Sequence, residues 1–164
     1  MENIDNIDDN IIISYKKNNI YSISYKINNK NVPIRFTTTN VKVPFGIEKY
    51  YDSYILKIQL LDTDLIQFIN FIENKVQQIN SNHKYTFVSQ IQKSKKPYPD
   101  LLIVKIDNNK TNRLDITSTS GNFINMFDIK KNAELSMDIY VDNIWCGNNK
   151  IIAKFKTRRI HIFD

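Results

Sequence analysis

Along most of this chain, apolar and polar residues alternate with the period of two that belongs to a strand. From Ile20 to Ile27, the residues Tyr21, Ile23, Tyr25 and Ile27 share one face. Asn28-Asn29-Lys30-Asn31 follows, a run rich in the residue type that tolerates positive φ, and then Val32 to Thr38; together they predict a β-hairpin. Ile11 to Tyr15 adds a strand before it. Residues 39–53, with Val43-Pro44-Phe45-Gly46, are expected as a connection. Tyr54 to Leu61 is apolar on both faces, as a central strand is.

The alternation gives way to helical spacing once. Asp62, Thr63 and Asp64 supply N-cap oxygens and negative charge for the positive end of a helix dipole. Leu65, Phe68, Ile69, Ile72, Val76 and Ile79 then form one apolar stripe, and Asn80-Ser81-Asn82 ends it. The helix is expected over about residues 62–80.

Strand signals resume at Tyr85–Ile91 and Leu101–Ile106, separated by a basic loop from Gln92 to Asp100. Residues 107–132 are polar and give no assignment. Ala133, Leu135, Met137, Ile139 and Val141 alternate with polar residues. Asn148-Asn149 marks a turn, Ile151–Lys156 alternates again, and Arg158–Phe163 closes the chain as a last strand, so the end reads as a β-hairpin.

Strands on both sides of one long helix do not suit a doubly wound sheet, which needs a crossover helix for most parallel pairs. The pattern fits a mainly β, OB-fold-like, partly open barrel with one inserted helix at an end of the barrel. At 164 residues the chain fits one domain, expected over 11–164, preceded by a disordered acidic arm over 1–10. A chain of this length buries roughly 70% of its unfolded surface and needs no covalent staples.

Composition excludes several functions. Hydrophobic residues are 41% of the chain and charged residues 24%, ordinary values for a globular domain. No stretch approaches the ~20 apolar residues of a membrane span, so neither export nor a membrane is expected. Cys146 is alone, which points to a reducing compartment. The only glycines are Gly46, Gly121 and Gly147, so no phosphate-cradling loop can be assembled. Two histidines and one cysteine offer no zinc-ligand spacing, and no cofactor is implied. The 28 Ile, 22 Asn and 19 Lys all use A/T-rich codons, which describes the source genome more than the fold.

Charge narrows the field further. The formal net charge is +6, and the acids Glu2, Asp5, Asp8 and Asp9 leave +10 on residues 11–164. An excess of that size favours a polyanion, because phosphate neutralisation releases condensed counterions. Three segments interleave cations with aromatics, the combination that grips a phosphate chain while bases stack. The first is Lys42–Tyr54, with Lys49, Tyr50 and Tyr51. The second is the loop Lys93-Ser94-Lys95-Lys96-Pro97-Tyr98. The third is Lys150–Arg159, where Lys154, Lys156, Arg158 and Arg159 lie on a strand. Lys49, Lys93, Lys95, Lys96, Lys154, Lys156, Arg158 and Arg159 are the candidate phosphate contacts, and Tyr50, Tyr51 and Tyr98 the candidate stacking rings. Phe45, Tyr54 and Trp145 read first as core aromatics.

Two enzymatic alternatives stand beside the binding reading. A Cys146–His161 nucleophilic pair requires both residues near one end of the final hairpin. A metal-dependent nuclease would use Pro99-Asp100, Asp128-Ile129-Lys130 and Glu73, two carboxylates holding Mg²⁺ while a lysine faces the phosphate. That pattern is permissive, and the alternating strand after Lys130 departs from the helix it needs. A virion or scaffold protein with an incidental basic surface is the non-enzymatic alternative.

Three segments in this order are familiar: Val43-Pro44-Phe45-Gly46-Ile47-Glu48-Lys49-Tyr50; Lys96-Pro97-Tyr98-Pro99-Asp100-Leu101-Leu102-Ile103-Val104-Lys105-Ile106; and Asn143-Ile144-Trp145 with the basic hairpin to Ile162. They resemble the single-stranded DNA-binding proteins of nucleocytoplasmic large DNA viruses, which are similar in turn to the OB-fold binding protein of T7-like phages. The resemblance spans about residues 40–162. It implies a non-enzymatic protein coating single-stranded replication and repair intermediates in the viral factory of the host cytoplasm. It also implies Gly and Trp after the Ile-Trp motif, where this chain has Ile151-Ile152-Ala153-Lys154-Phe155. The phage-type proteins recruit replication partners through an acidic tail; here residues 2–9 are the acidic arm expected to take that part.

Overall fold

The computed structural model describes residues 10–80, 82–109, 113–122 and 125–164, so residues 1–9 of the arm expected over 1–10 lie outside them, as does Ser81. Thirteen strands and one α-helix are found among the described residues. In chain order the strands are β1 (Ile11–Tyr15), β2 (Ile20–Ile27), β3 (Lys30–Val32), β4 (Arg35–Thr37), β5 (Val41–Val43), β6 (Ile47–Tyr50) and β7 (Ser53–Gln59). After helix α1 (Thr63–Ile79) come β8 (Thr86–Phe87), β9 (Ile91–Gln92), β10 (Leu101–Ile106), β11 (Asp115–Ser118), β12 (Ala133–Gly147) and β13 (Lys150–Ile162).

The long hairpin β12–β13 is the spine. Asn148 and Asn149 both take positive φ, 49° and 59°, at the turn that joins its strands, as a two-residue hairpin turn of primed type requires. Short strands are laid along the spine in sequence. β5, β4 and β2 pair with β12 at successive points, while β11, β10 and β8 pair with β13 in parallel. The main path runs β1-β2-β12-β13-β10-β7-β6, with β1 and β6 as separate edges. This is the mainly β, OB-like, partly open architecture that the alternation predicts.

One face of the sheet is apolar and closes on α1. Leu56, Ile58, Leu102, Val104, Ile144 and Phe155 join Leu65, Phe68, Ile69, Ile72 and Val76 of the helix in one core. Each such fully buried side chain contributes roughly 1.5–3 kcal/mol relative to exposure. Asp62 caps the helix, its carboxylate accepting from the Asp64 and Leu65 backbone N–H groups at 2.9 and 3.4 Å. Asn80 ends it: its side chain donates to the Tyr85 carbonyl at 2.7 Å and accepts from the Tyr85 N–H at 3.1 Å. That clip ends the helix where the sequence expects it, and Ile79, its last residue, is exposed rather than part of the buried stripe.

Several boundaries differ from the pattern reading. The expected strand Val32–Thr38 is two strands on different partners, because Pro33 lacks the N–H that a continuous ladder needs. The expected connection 39–53 holds β5 and β6, joined at Gly46. There φ is +68°, and an added Cβ would meet the Ile129 carbonyl oxygen at 2.8 Å. Tyr85–Ile91 is reduced to the two-residue strands β8 and β9, and the unassigned stretch contributes β11. The two final strands are one, continuous through Arg158.

That continuity depends on two bulges. β13 carries an extra residue at Arg158, since Thr157 pairs with Ile139 and Arg159 with Asp138. β12 carries an extra residue at Asp142, since Val141 pairs with Phe155 and Asn143 with Lys154. Each bulge puts two consecutive side chains on the outer face and resumes the inward set one position later.

Candidate nucleic-acid interface

The outer face of β7, β10, β13 and β12 is where cations and aromatics meet. Register fixes which residues share it: Lys105 lies across from Ile55 on one side and Lys156 on the other, Lys154 across from Asn143, and Trp145 across from Ile152. The core partners of these strands all point the other way. The outward residues and the β6–β7 turn enclose an open groove of about 370 Å³, with Tyr50, Tyr51, Trp145, Lys105, Lys154 and Lys156 on its walls.

Trp145 is positioned by its neighbours. Its indole lies over Gly147, where an added Cβ would come within 2.4 Å of the ring, so only glycine leaves room for this pose. Lys154 stands over the indole with its ammonium 5.5 Å from the ring centre, a cation–π arrangement. Tyr50 and Tyr51 meet edge to face with centroids 4.7 Å apart, and both are exposed, Tyr51 at 82%. Tyr51 takes φ of 53° in the turn between β6 and β7.

Three lysines, Lys105, Lys154 and Lys156, outnumber two aspartates, Asp52 and Asp142, on the groove walls. Burial lowers the pKa of Lys154, and the nearby Lys105 charge lowers it further, with Asp142 opposing. A phosphate between these ammonium groups would relieve that repulsion. Lys156 is held by Asp142 at 3.0 Å, so an incoming phosphate must compete with a carboxylate there.

The structure divides the sequence candidates into groups. Tyr50, Tyr51, Lys154 and Lys156 come together in the groove. Lys49 does not: it is across from Tyr54, whose ring packs against the core, so alternation turns Lys49 away from the groove. The loop of Lys93, Lys95, Lys96 and Tyr98 precedes Leu101, at the opposite end of β10 from Lys105, about 13 Å along the strand. Lys93 is paired there with Asp100 at 2.8 Å, whose carboxyl is held below its usual range by that bond and by the Ser94 N–H. Lys95 and Lys96 make no ion pair with any described residue, and Tyr98 is 72% exposed beside the cis Lys96–Pro97 bond.

Arg158 and Arg159 lie elsewhere. Arg158 donates to Asp107 at 2.8 Å and lies over the Tyr140 ring, whose hydroxyl also donates to Asp107. Burial pushes the Asp107 carboxyl upward, but these two bonds and the Lys156 and Arg158 charges outweigh it and hold the group low. Burial and Asp107 together raise the Tyr140 hydroxyl. Arg159 reaches Asp115 at 3.3 Å and Asp138 at 3.6 Å.

Trp145 and Lys105 are the groove residues that the sequence reading missed. Gly147, two positions after Trp145 on the same strand face, is the available signal for a half-buried ring lying over the strand. Phe45, also read as core, is exposed with Lys57 5.7 Å from its ring centre; Tyr54 does pack on the core.

The enzymatic constellations are not assembled. Glu73 is buried with its oxygens taken by Ser89 and the Gln90 N–H, and Asp128 closes a capping box with Asn125. No group of three His, Cys, Asp or Glu residues among the described residues could hold a metal ion. Cys146 pairs with Ile151 while His161 pairs with Ser136, so they stand at opposite ends of the hairpin, about 30 Å apart. No helix among the described residues is long and apolar enough to cross a membrane.

No family model and no curated protein matches the sequence. The fold itself has solved counterparts. It is similar to gp2.5, a single-stranded DNA-binding protein encoded by bacteriophage T7, with a TM-score of 0.52 over 79% of this chain and 91% of that one. A C-terminal truncation of the single-stranded DNA-binding protein from bacteriophage Enc34 matches with a TM-score of 0.55 over 96% of each chain. The Enc34 protein in complex with single-stranded DNA gives 0.53, over 93% of this chain and 94% of that one. Identity is 10% in all three, so the likeness is one of fold.

Proposed function

We propose that this chain binds single-stranded DNA, with bases stacked on Trp145, Tyr50 and Tyr51 and phosphates held by Lys105 and Lys154. The observation that carries the reading is the meeting of three aromatic side chains and three lysines on one open sheet face. Stacking of this kind is worth roughly 1–3 kcal/mol per base and tolerates any sequence, because every base has a π-face. Support comes from the fold of the phage proteins, one of them solved with single-stranded DNA.

The finer reading follows the motif resemblance. The chain would act without catalysis, coating replication and repair intermediates with little sequence preference in the cytoplasmic factory of a large DNA virus. Residues 2–9 would contact replication proteins.

Equilibrium titration of oligo-dT against duplex DNA and oligo-rU, at two salt concentrations, tests the proposal. Tight binding to oligo-dT that weakens with salt is expected. Equal, feeble binding to all three would overturn it.

A further inference from the structure

A second groove, of about 570 Å³, lies on the other side of Asp142. Arg35 of β4, Arg113 before β11, and Arg158 and Arg159 of β13 line it, with Tyr140 between. Asp142 lines both grooves, so the two adjoin at the β12 bulge. Their chemistry differs: the first offers rings and lysines, the second guanidinium groups.

The arginines of the second groove are not equally available. Arg158 is committed to Asp107, and Arg159 is shared between Asp115 and Asp138. Arg35 and Arg113 are exposed and make no ion pair with any described residue. Arg35 is set by register, across from Tyr140 on β12. Two guanidinium groups without an ion pair among the described residues, beside two paired ones, make a surface suited to the phosphates of an extended chain, which a planar fork can bind in a bidentate manner.

We infer that the second groove is a continuation of the single-strand path, which bends over Asp142 and gives its phosphates to Arg35 and Arg113. This rests on the reading of the first groove. In the first limb bases are stacked; in the second the backbone is held and the bases are left free. The limbs would fill in order as the oligonucleotide lengthens. OB folds accommodate roughly 4–16 nucleotides, and a bent two-limb path belongs toward the upper end of that range.

A dT ladder across that range, titrated against the wild-type chain and an Arg35→Ala/Arg113→Ala variant, tests the inference. The wild type should gain affinity in two steps with length. The variant should keep the first step and lose the second, binding the longest oligonucleotide about ten-fold more weakly, with a salt slope lower by about 1.4. An unchanged melting temperature and unchanged short-oligonucleotide binding would show that the variant is folded. Identical length dependence in the two proteins would overturn the second limb while leaving the first groove standing. Equal weakening at every length would overturn it too, because the arginines would then belong to no separate limb. If the wild type binds no dT of any length, the reading of the first groove fails and the continuation fails with it.

Discussion

The ammonium of Lys154 stands 5.5 Å from the centre of the Trp145 ring, across a groove that both residues line. Trp145 is the only tryptophan in the chain. Intrinsic tryptophan fluorescence is therefore a direct report on this one wall, and base stacking should quench it on titration with oligo-dT. Trp145→Ala should weaken binding by roughly 1–3 kcal/mol, the worth of one stacked base, while Trp145→Phe retains most of it. Equal affinities for Trp145→Ala and wild type would remove the indole from the binding surface.

Gly147 should matter through the ring it supports. Gly147→Ala forces a methyl into space the indole occupies, so Trp145 must leave its pose. Weaker oligo-dT binding and a shifted emission maximum are expected. A high-resolution structure of the variant showing the indole unmoved would count against this account.

Binding should also be linked to protons through Lys154. Its pKa is lowered in the free protein by burial and by Lys105, and a bound phosphate favours the charged form. The complex therefore has the higher pKa, and affinity should fall as pH rises through the free-state value. Removing the repelling neighbour in Lys105→Met should move that loss to higher pH. Titrations at constant ionic strength over the alkaline range would reveal the shift, and a pH-independent affinity would contradict it.

The basic loop gives a separate test. Lys95 and Lys96 make no ion pair among the described residues, and Lys95→Ala/Lys96→Ala should lower the salt slope by about 1.4 if both meet phosphates. An unchanged slope would mean that the single strand does not extend along β10 to this loop.

The Asp107 cluster predicts an acid limb in stability. A carboxyl held low in the folded state stabilises the fold above the pH at which the unfolded group titrates. That share is lost as pH falls through the folded value. Asp107→Asn removes charge-assisted bonds to Arg158 and Tyr140, so a loss of about 2 kcal/mol near neutral pH is expected. The difference between variant and wild type should shrink on acidification below the usual carboxylate range of about 3.9. Urea unfolding at several pH values measures it.

How much of this was legible in the sequence depended on the range of the interaction. Helix α1 was readable from Asp62 and its stripe, because cap and periodicity are local. The hairpin turns were readable from paired asparagines for the same reason. Strand partners were not: nothing in Asp115–Ser118 announces a parallel pairing with β13, and only Pro33 hinted that Val32–Thr38 divides. The site was half legible. Tyr50, Tyr51, Lys154 and Lys156 were named from composition, but their separation from Lys49 and Arg158 follows from register and bulges. Those depend on which strands pair and in what register, Lys49 with Tyr54, Lys105 with Ile55 and Lys156, and β12 with β13, which alternation within one strand does not reveal. Trp145 was not decidable from its neighbours, because a tryptophan beside Ile144 and Cys146 looks like core; alternation places it on the opposite face from both.

The bulges at Asp142 and Arg158 carry a consequence for how such a surface can change over generations. At each bulge two consecutive side chains face outward and the inward set resumes one position later, so the extra residue adds a side chain to the outer row without changing which later residues face the core. The outer face of this chain can therefore gain or lose a charge at these points without altering which residues face the core.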